Sequence, residues 1–177
     1  MTSHRLVRTL ARPLPFLAAA ALLAACQSTP QPIETRFDAR QAEAMLAAGD
    51  NTIEGTAFRR RDSGSVVTAA GEVVYLVPAT AYAEERFRKL FPQGKLNPIG
   101  NLSRVEEAAP DYERLMRQTK ADMRGRFTFE RVRPGRYFVS TRLAWREPGG
   151  RPNGGLIYDA VEVRGSGATV EVILSGN

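Results

Sequence analysis

The 177-residue sequence contains one cysteine, Cys26, and one histidine, His4. A lone cysteine cannot close a disulfide within the chain. One residue of each kind cannot assemble a Cys/His zinc site, which takes three or four protein ligands. His4 belongs to the first 25 residues, read below as a leader. Without it there is no histidine to activate a serine or cysteine nucleophile. Long hydrophobic runs are also missing. The longest, Leu14 to Leu23, is about ten residues, short of the ~20 that cross a bilayer as a helix. What remains for chemistry is carboxylates, lysine, tyrosine and hydroxyl side chains.

The amino end carries Arg5, Arg8 and Arg12 and no acid, then the apolar run, then Ala24 and Ala25 before Cys26. This is the layout of a secretory signal peptide over residues 1–25. Leu23-Ala24-Ala25-Cys26 resembles a bacterial lipobox. The resemblance implies a thioether-linked diacylglycerol on Cys26, cleavage before it and acylation of the new amino end. One acyl chain binds a membrane marginally, at ~0.8 kcal/mol per buried methylene, so three chains anchor firmly. In lipoproteins of this kind an Asp after the cysteine signals inner-membrane retention. Gln27 therefore implies the outer membrane, with the domain on its periplasmic face. The expected mature chain is 26–177, one domain on a membrane tether. Without the leader's three arginines its formal charge falls from +6 to +3. That modest charge, with export, argues against nucleic acid as a partner.

Residues 26–36 are rich in Ser, Thr, Pro and Gln and predict a flexible tether. Residues 37–50 predict a short helix. Asp38 caps it with Gln41 as partner, Phe37 packs on Ala42 as a staple, and Gly49 serves as a left-handed stop. From Asn51 the pattern alternates, with Ile53, Gly55 and Ala57 on one face of a strand. Glu72–Val77 is a strong strand that Pro78 ends. Residues 80–120 read as an insertion. Thr80 caps a helix there whose apolar stripe is Ala83, Phe87, Leu90 and Phe91, with Glu84 and Glu85 in its first turn.

The clearest signal is ADMRGRFTFERVRPGRYFV, residues 121–139. Asp122 and Gly125 have turn chemistry, Phe127 and Phe129 alternate with polar residues, and Pro134-Gly135 makes a second turn. Tyr137, Val139, Thr141, Leu143 and Trp145 recur at period two. The end of the chain predicts a hairpin, with Val161 and Val163 facing Val170, Val172 and Leu174 across a turn at 164–167. Seven strand segments divided by turns predict a mainly β protein, an antiparallel sandwich.

Residues Asp122, Gly125, Phe127, Phe129, Val132, Pro134, Gly135, Tyr137 and Val139 resemble the D-x-x-G-x-F-x-F-x-x-V-x-P-G-x-Y-x-V pattern of carboxypeptidase-regulatory-like domains. NTIEGTAF and GEVVYLVPATAYAEERF upstream look like stretches of bacterial envelope lipoproteins that carry such a domain. The resemblance covers roughly residues 51–175 and implies a transthyretin-like fold. It implies no activity, because the matching residues form turns and core.

The densest basic cluster is Arg59-Arg60-Arg61, which with Arg131, Arg133 and Arg136 would bind an anion such as a lipid headgroup or a lipopolysaccharide phosphate. Its competing reading is a solvated loop. Glu84-Glu85 and Glu106-Glu107 are paired acids, but glycoside hydrolysis needs two carboxyls facing across ~5–10 Å. Tyr75, Tyr82, Trp145 and Tyr158 would line a carbohydrate or peptide groove, or pack in the core, with Tyr75 and Trp145 on inward-reading faces. The sequence thus predicts a non-enzymatic, lipid-anchored module that binds an envelope protein or glycan, without cofactor or metal. Its rivals are a carboxylate-based glycan hydrolase and an anion-binding module.

Overall fold

The computed structural model of the chain describes residues 29–100 and 103–177. Cys26 and the predicted leader lie outside them. The elements run α1 (Ala39–Leu46), β1 (Asn51–Arg60), β2 (Val66–Thr68), β3 (Val73–Pro78), α2 (Ala81–Leu90), β4 (Leu96–Pro98), β5 (Arg117–Lys120), β6 (Arg126–Val132), β7 (Gly135–Arg146), β8 (Pro152–Val163) and β9 (Thr169–Leu174). They form two sheets. One has five antiparallel strands in the order β4-β8-β7-β3-β5. The other has four strands around β1, which pairs antiparallel with β6 and β2 and parallel with β9.

The sheets pack face to face. Alternation along each strand turns Ile53, Phe129 and Leu174 of one sheet toward Leu76, Val139 and Ile157 of the other. Each such side chain contributes about 1.5–3 kcal/mol by leaving water. Gly55 sits among them in β1. A Cβ there would lie 2.3 Å from the Phe127 ring, so glycine lets that ring cross the strand.

Among the described residues, nine strands and one parallel strand pair replace the seven antiparallel strands expected. The expected final hairpin is also absent, because β8 and β9 belong to different sheets. Val161, Val163, Val172 and Leu174 still meet, but as opposite walls of the core. Asn51, fully buried, fixes the crossing. Its side chain accepts the Ala168 amide at 2.8 Å and donates to the carbonyls of Val132 and Gly165. Single-strand periodicity reports which side chains are inward, not which sheet a strand joins.

Local capping follows the sequence. Asp38 accepts from the Gln41 amide and Thr80 from the Ala83 amide. Asp122 accepts the amides of Arg124 and Arg126, and these bonds, the Arg126 amide first, hold its carboxyl below the usual range. Gly49 differs from expectation: it has no left-handed backbone. It is small because a Cβ would lie 2.3 Å from the Val132 carbonyl oxygen. Phe37 packs on Tyr82 and Tyr112.

A second core covers the outer face of the five-stranded sheet. Phe87 of α2 and Phe91, which caps its carboxyl end, pack there with Phe138 and Tyr158. Residues 31–36, part of the stretch expected to be a free tether, lie along α2. The Glu85 carboxylate accepts the amides of Glu34 and Thr35 at 3.0 and 2.8 Å. Lys89 donates to the Pro32 carbonyl and to Glu85, and Gln31 bridges to Val105. Composition misses this strap because its backbone, not its side chains, makes most of the contacts. Ile33 alone adds apolar surface to the core beneath.

Candidate functional site

The pairing register sets side chains on the outer face of the five-stranded sheet in rows across the strands. Val77 and Phe138 form one row, roofed by α2. The next row runs Gln118, Tyr75, Ser140, Tyr158. Beyond it Val73 lies opposite Lys120, and Arg142 opposite Leu156. Adjacent strands are ~4.8 Å apart, so the Gln118–Tyr158 row is about 14 Å long.

The first row is fully covered, and in the second Tyr158 packs on Phe87 and Phe91 while Gln118 is exposed. The helix and residues 108–116 therefore leave a cleft of about 520 Å³ against the sheet. Tyr75 is half-buried in its floor, between Gln118 on β5 and Ser140 on β7. Phe87 and Phe91 form its helical wall and Tyr112 the facing loop wall. Arg142 and Leu156 are exposed on the open side. Apolar rings beside a few polar groups are the usual make-up of a small-molecule site.

The walls are braced. Phe37, Tyr82 and Tyr112 meet pairwise with ring centroids 5.1–5.6 Å apart. The Tyr82 hydroxyl accepts the Ala109 amide at 3.0 Å and the Arg86 Nη1 at 3.3 Å, tying the 103–109 segment to α2. Burial raises the Tyr112 hydroxyl well above the usual phenol range, with the Arg86 charge opposing that shift.

The structure does not gather the six arginines singled out in the sequence. Arg59 donates to the Ser175 carbonyl at 3.0 Å and Arg61 pairs with Glu147 at 2.6 Å. Arg60 is exposed on the opposite side of the strand. Arg133 follows Val132, which pairs with Asn51 at the far end of β1, about 30 Å away. Arg136 pairs with Glu84 at 2.9 Å. The acidic pairs do not converge either. Glu84 takes Arg136, Glu85 holds the strap, and Glu106 and Glu107 are exposed.

Three of the four aromatics gather on the outer face, where Tyr75, Tyr82 and Tyr158 belong to the second core, while Trp145 lies apart at the edge of the main core. Tyr75, expected to face inward, faces the cleft because Val74 and Leu76 take the core side of β3. Tyr158 packs on Phe87 and Phe91, and Tyr82 sits in the second core. Trp145 packs at the edge of the main core and donates its indole N–H to Glu147 at 2.5 Å. That bond, then Arg61 and Asn153, holds the Glu147 carboxyl below its usual range. Sequence reading passed over Arg86. Its signal was its place four residues after Tyr82, on the same helix face.

A second depression, about 640 Å³, lies over the four-stranded sheet. Glu54, Thr56, Arg126, Thr128 and Glu171 line it, and its one aromatic, Phe127, is buried in the core. It offers no exposed ring to a ligand.

No family model matches the chain, and no curated protein matches it. Among solved structures it is similar to a candidate carbohydrate-binding protein from Pseudomonas aeruginosa. The TM-score is 0.68 and the identity 25%, over 80% of this chain and 98% of that one. The chain shares its β-sandwich with that bacterial protein. It is also similar to the major pilin subunit of Bacillus cereus, at TM-score 0.42 and 12% identity, over 73% of this chain and 30% of that one.

Proposed function

We propose that the protein is a non-catalytic module that binds carbohydrate in the cleft between α2 and the five-stranded sheet, anchored to the outer membrane by lipid on Cys26. The domain is of the carboxypeptidase-regulatory-like, transthyretin-like type. Tyr75 carries the binding reading: a half-buried ring with a polar side chain on the strand at each side. Sugar rings present apolar C–H faces that stack on such a ring, and hydroxyls that need neighbouring donors and acceptors. The likeness to a candidate carbohydrate-binding protein supports the same reading.

The docked strap gives the anchor a short reach. Gln31 is fixed beside Val105, and five residue steps separate it from Cys26. Fully extended, they span at most ~18 Å. The lipid therefore holds the domain close to the membrane, at its α2 side. The acids that sequence reading paired for hydrolysis serve other contacts or lie apart, which supports a binding role rather than a catalytic one.

A glycan array probed with wild-type and Tyr75→Ala protein tests the reading. Wild type should retain at least one glycan class, and Tyr75→Ala should lose ~10-fold or more of that affinity. No retained glycan, or equal retention by both proteins, contradicts it.

A further inference from the structure

From Arg86 we infer that the cleft selects a carboxylate-bearing saccharide, a uronic-acid type of sugar, over its neutral counterpart. This rests on the carbohydrate reading of the cleft and names the ligand's chemical class.

Arg86 is only 9% exposed. No carboxylate of the described residues pairs with it, and residues 1–28, 101 and 102 contain no acid. A buried charge without a counter-charge is costly. Two contacts offset part of that cost. Nη1 donates to the Tyr82 hydroxyl and to the Glu106 carbonyl, at 3.3 and 3.1 Å. The guanidinium also lies over the Tyr82 and Tyr112 rings, 5.6 and 5.2 Å from their centroids. The Tyr112 hydroxyl adds a looser contact.

Both hydrogen bonds use one nitrogen, and the ring contacts use the flat faces. Nε and Nη2 make no hydrogen bond to a described residue, and neither is sealed from solvent. Arg86 lines the cleft. The Nε–Nη2 edge is one of the two guanidinium edges that grip a carboxylate with parallel N–H···O bonds. A structural tie to Tyr82 and Glu106 needs only the donors already in use. The remaining edge fits a bidentate acid.

Arg142 adds a second cation on the cleft's open side, with no ion-pair partner among the described residues. Glu72 and Glu113 on the rim oppose it. Exposed charges are screened by salt, whereas the buried Arg86 is screened much less, so Arg86 sets the preference. A neutral sugar in the same place leaves the guanidinium edge without its anion.

Calorimetric titration with two tetrasaccharides of one backbone tests the inference: cellotetraose, and β-1,4-tetraglucuronate, which carries a carboxylate at each C6. The acidic tetramer should bind at least ~10-fold tighter. Arg86→Lys keeps the charge and removes the fork. It should bring the two affinities to within about twofold by weakening the acid alone. Should that variant fail to fold by circular dichroism, the Arg86 Nε–H proton resonance of wild type decides. It should move on adding tetraglucuronate and stay on adding cellotetraose. Equal affinities in wild type overturn the inference and leave the carbohydrate reading standing, and binding of neither tetramer overturns both. A tetraglutamate peptide that binds as tightly as tetraglucuronate also overturns it, pointing to an acidic peptide.

Discussion

The rings of Phe87 and Phe138 lie with centroids 4.3 Å apart and planes 18° from parallel. This contact joins α2 to the outer face of the sheet and sets the roof height of the cleft. Phe87 is 6% exposed, so its removal leaves a void that the neighbours fill only in part. Phe87→Ala should cost about 3–5 kcal/mol in urea unfolding followed by far-ultraviolet circular dichroism. A loss under 1 kcal/mol would show that α2 does not depend on the stack.

Gly55 and Phe127 form a second paired constraint, across β1 and β6. A new Cβ at Gly55 would meet Phe127 Cζ at 2.3 Å and Val172 Cγ1 at 2.8 Å. Gly55→Ala should destabilise the protein by about 1–3 kcal/mol through overpacking. Combining it with Phe127→Leu should cost less than the sum of the two single changes, because the smaller side chain yields space. Strict additivity in denaturant titrations would contradict this.

Acid should release the strap. The Lys89 ammonium first, then the Thr35 and Glu34 contacts, hold the Glu85 carboxyl far below its ordinary value of 4.5. A depressed carboxylate stabilises the folded state above that ordinary value. The contribution is lost as pH falls from about 4.5 toward the folded pKa. The Glu34 and Thr35 amides should therefore keep their chemical shifts through pH 4.5 and change only well below it, and Glu85→Gln should remove that transition. Amide shifts that titrate near 4.5 would show that Glu85 does not hold the strap in solution.

Lipid on Cys26 predicts its own signature. Cells fed labelled palmitate should tag the wild-type protein, and Cys26→Ser should lose the tag and leave the membrane fraction. Equal tagging of both would remove the anchor from the account.

Short-range chemistry was readable in the sequence, and long-range pairing was not. Asp38, Thr80 and the Asp122–Gly125 turn act within four residues, so their types and spacing suffice. Phe127, Phe129, Tyr137 and Val139 announce a core face by alternation. β3 is ambiguous because VVYLVP is apolar on both faces, one toward the main core and one under α2. That ambiguity hid Tyr75. The parallel β1–β9 pair rests on contacts more than 100 residues apart, such as Thr52 with Thr169, which no local pattern reports. The strap is held by a carboxylate 50 residues away, and Arg86 becomes conspicuous only once its partners are counted in space.

Mapping of amide chemical-shift changes on the labelled protein, as a retained glycan is added, tests the central claim most directly. Changes should cluster on Tyr75, Gln118, Ser140, Arg142 and Leu156, with Glu54, Thr56 and Glu171 of the other sheet unmoved. Changes confined to that second sheet, or none in the cleft, would contradict the account.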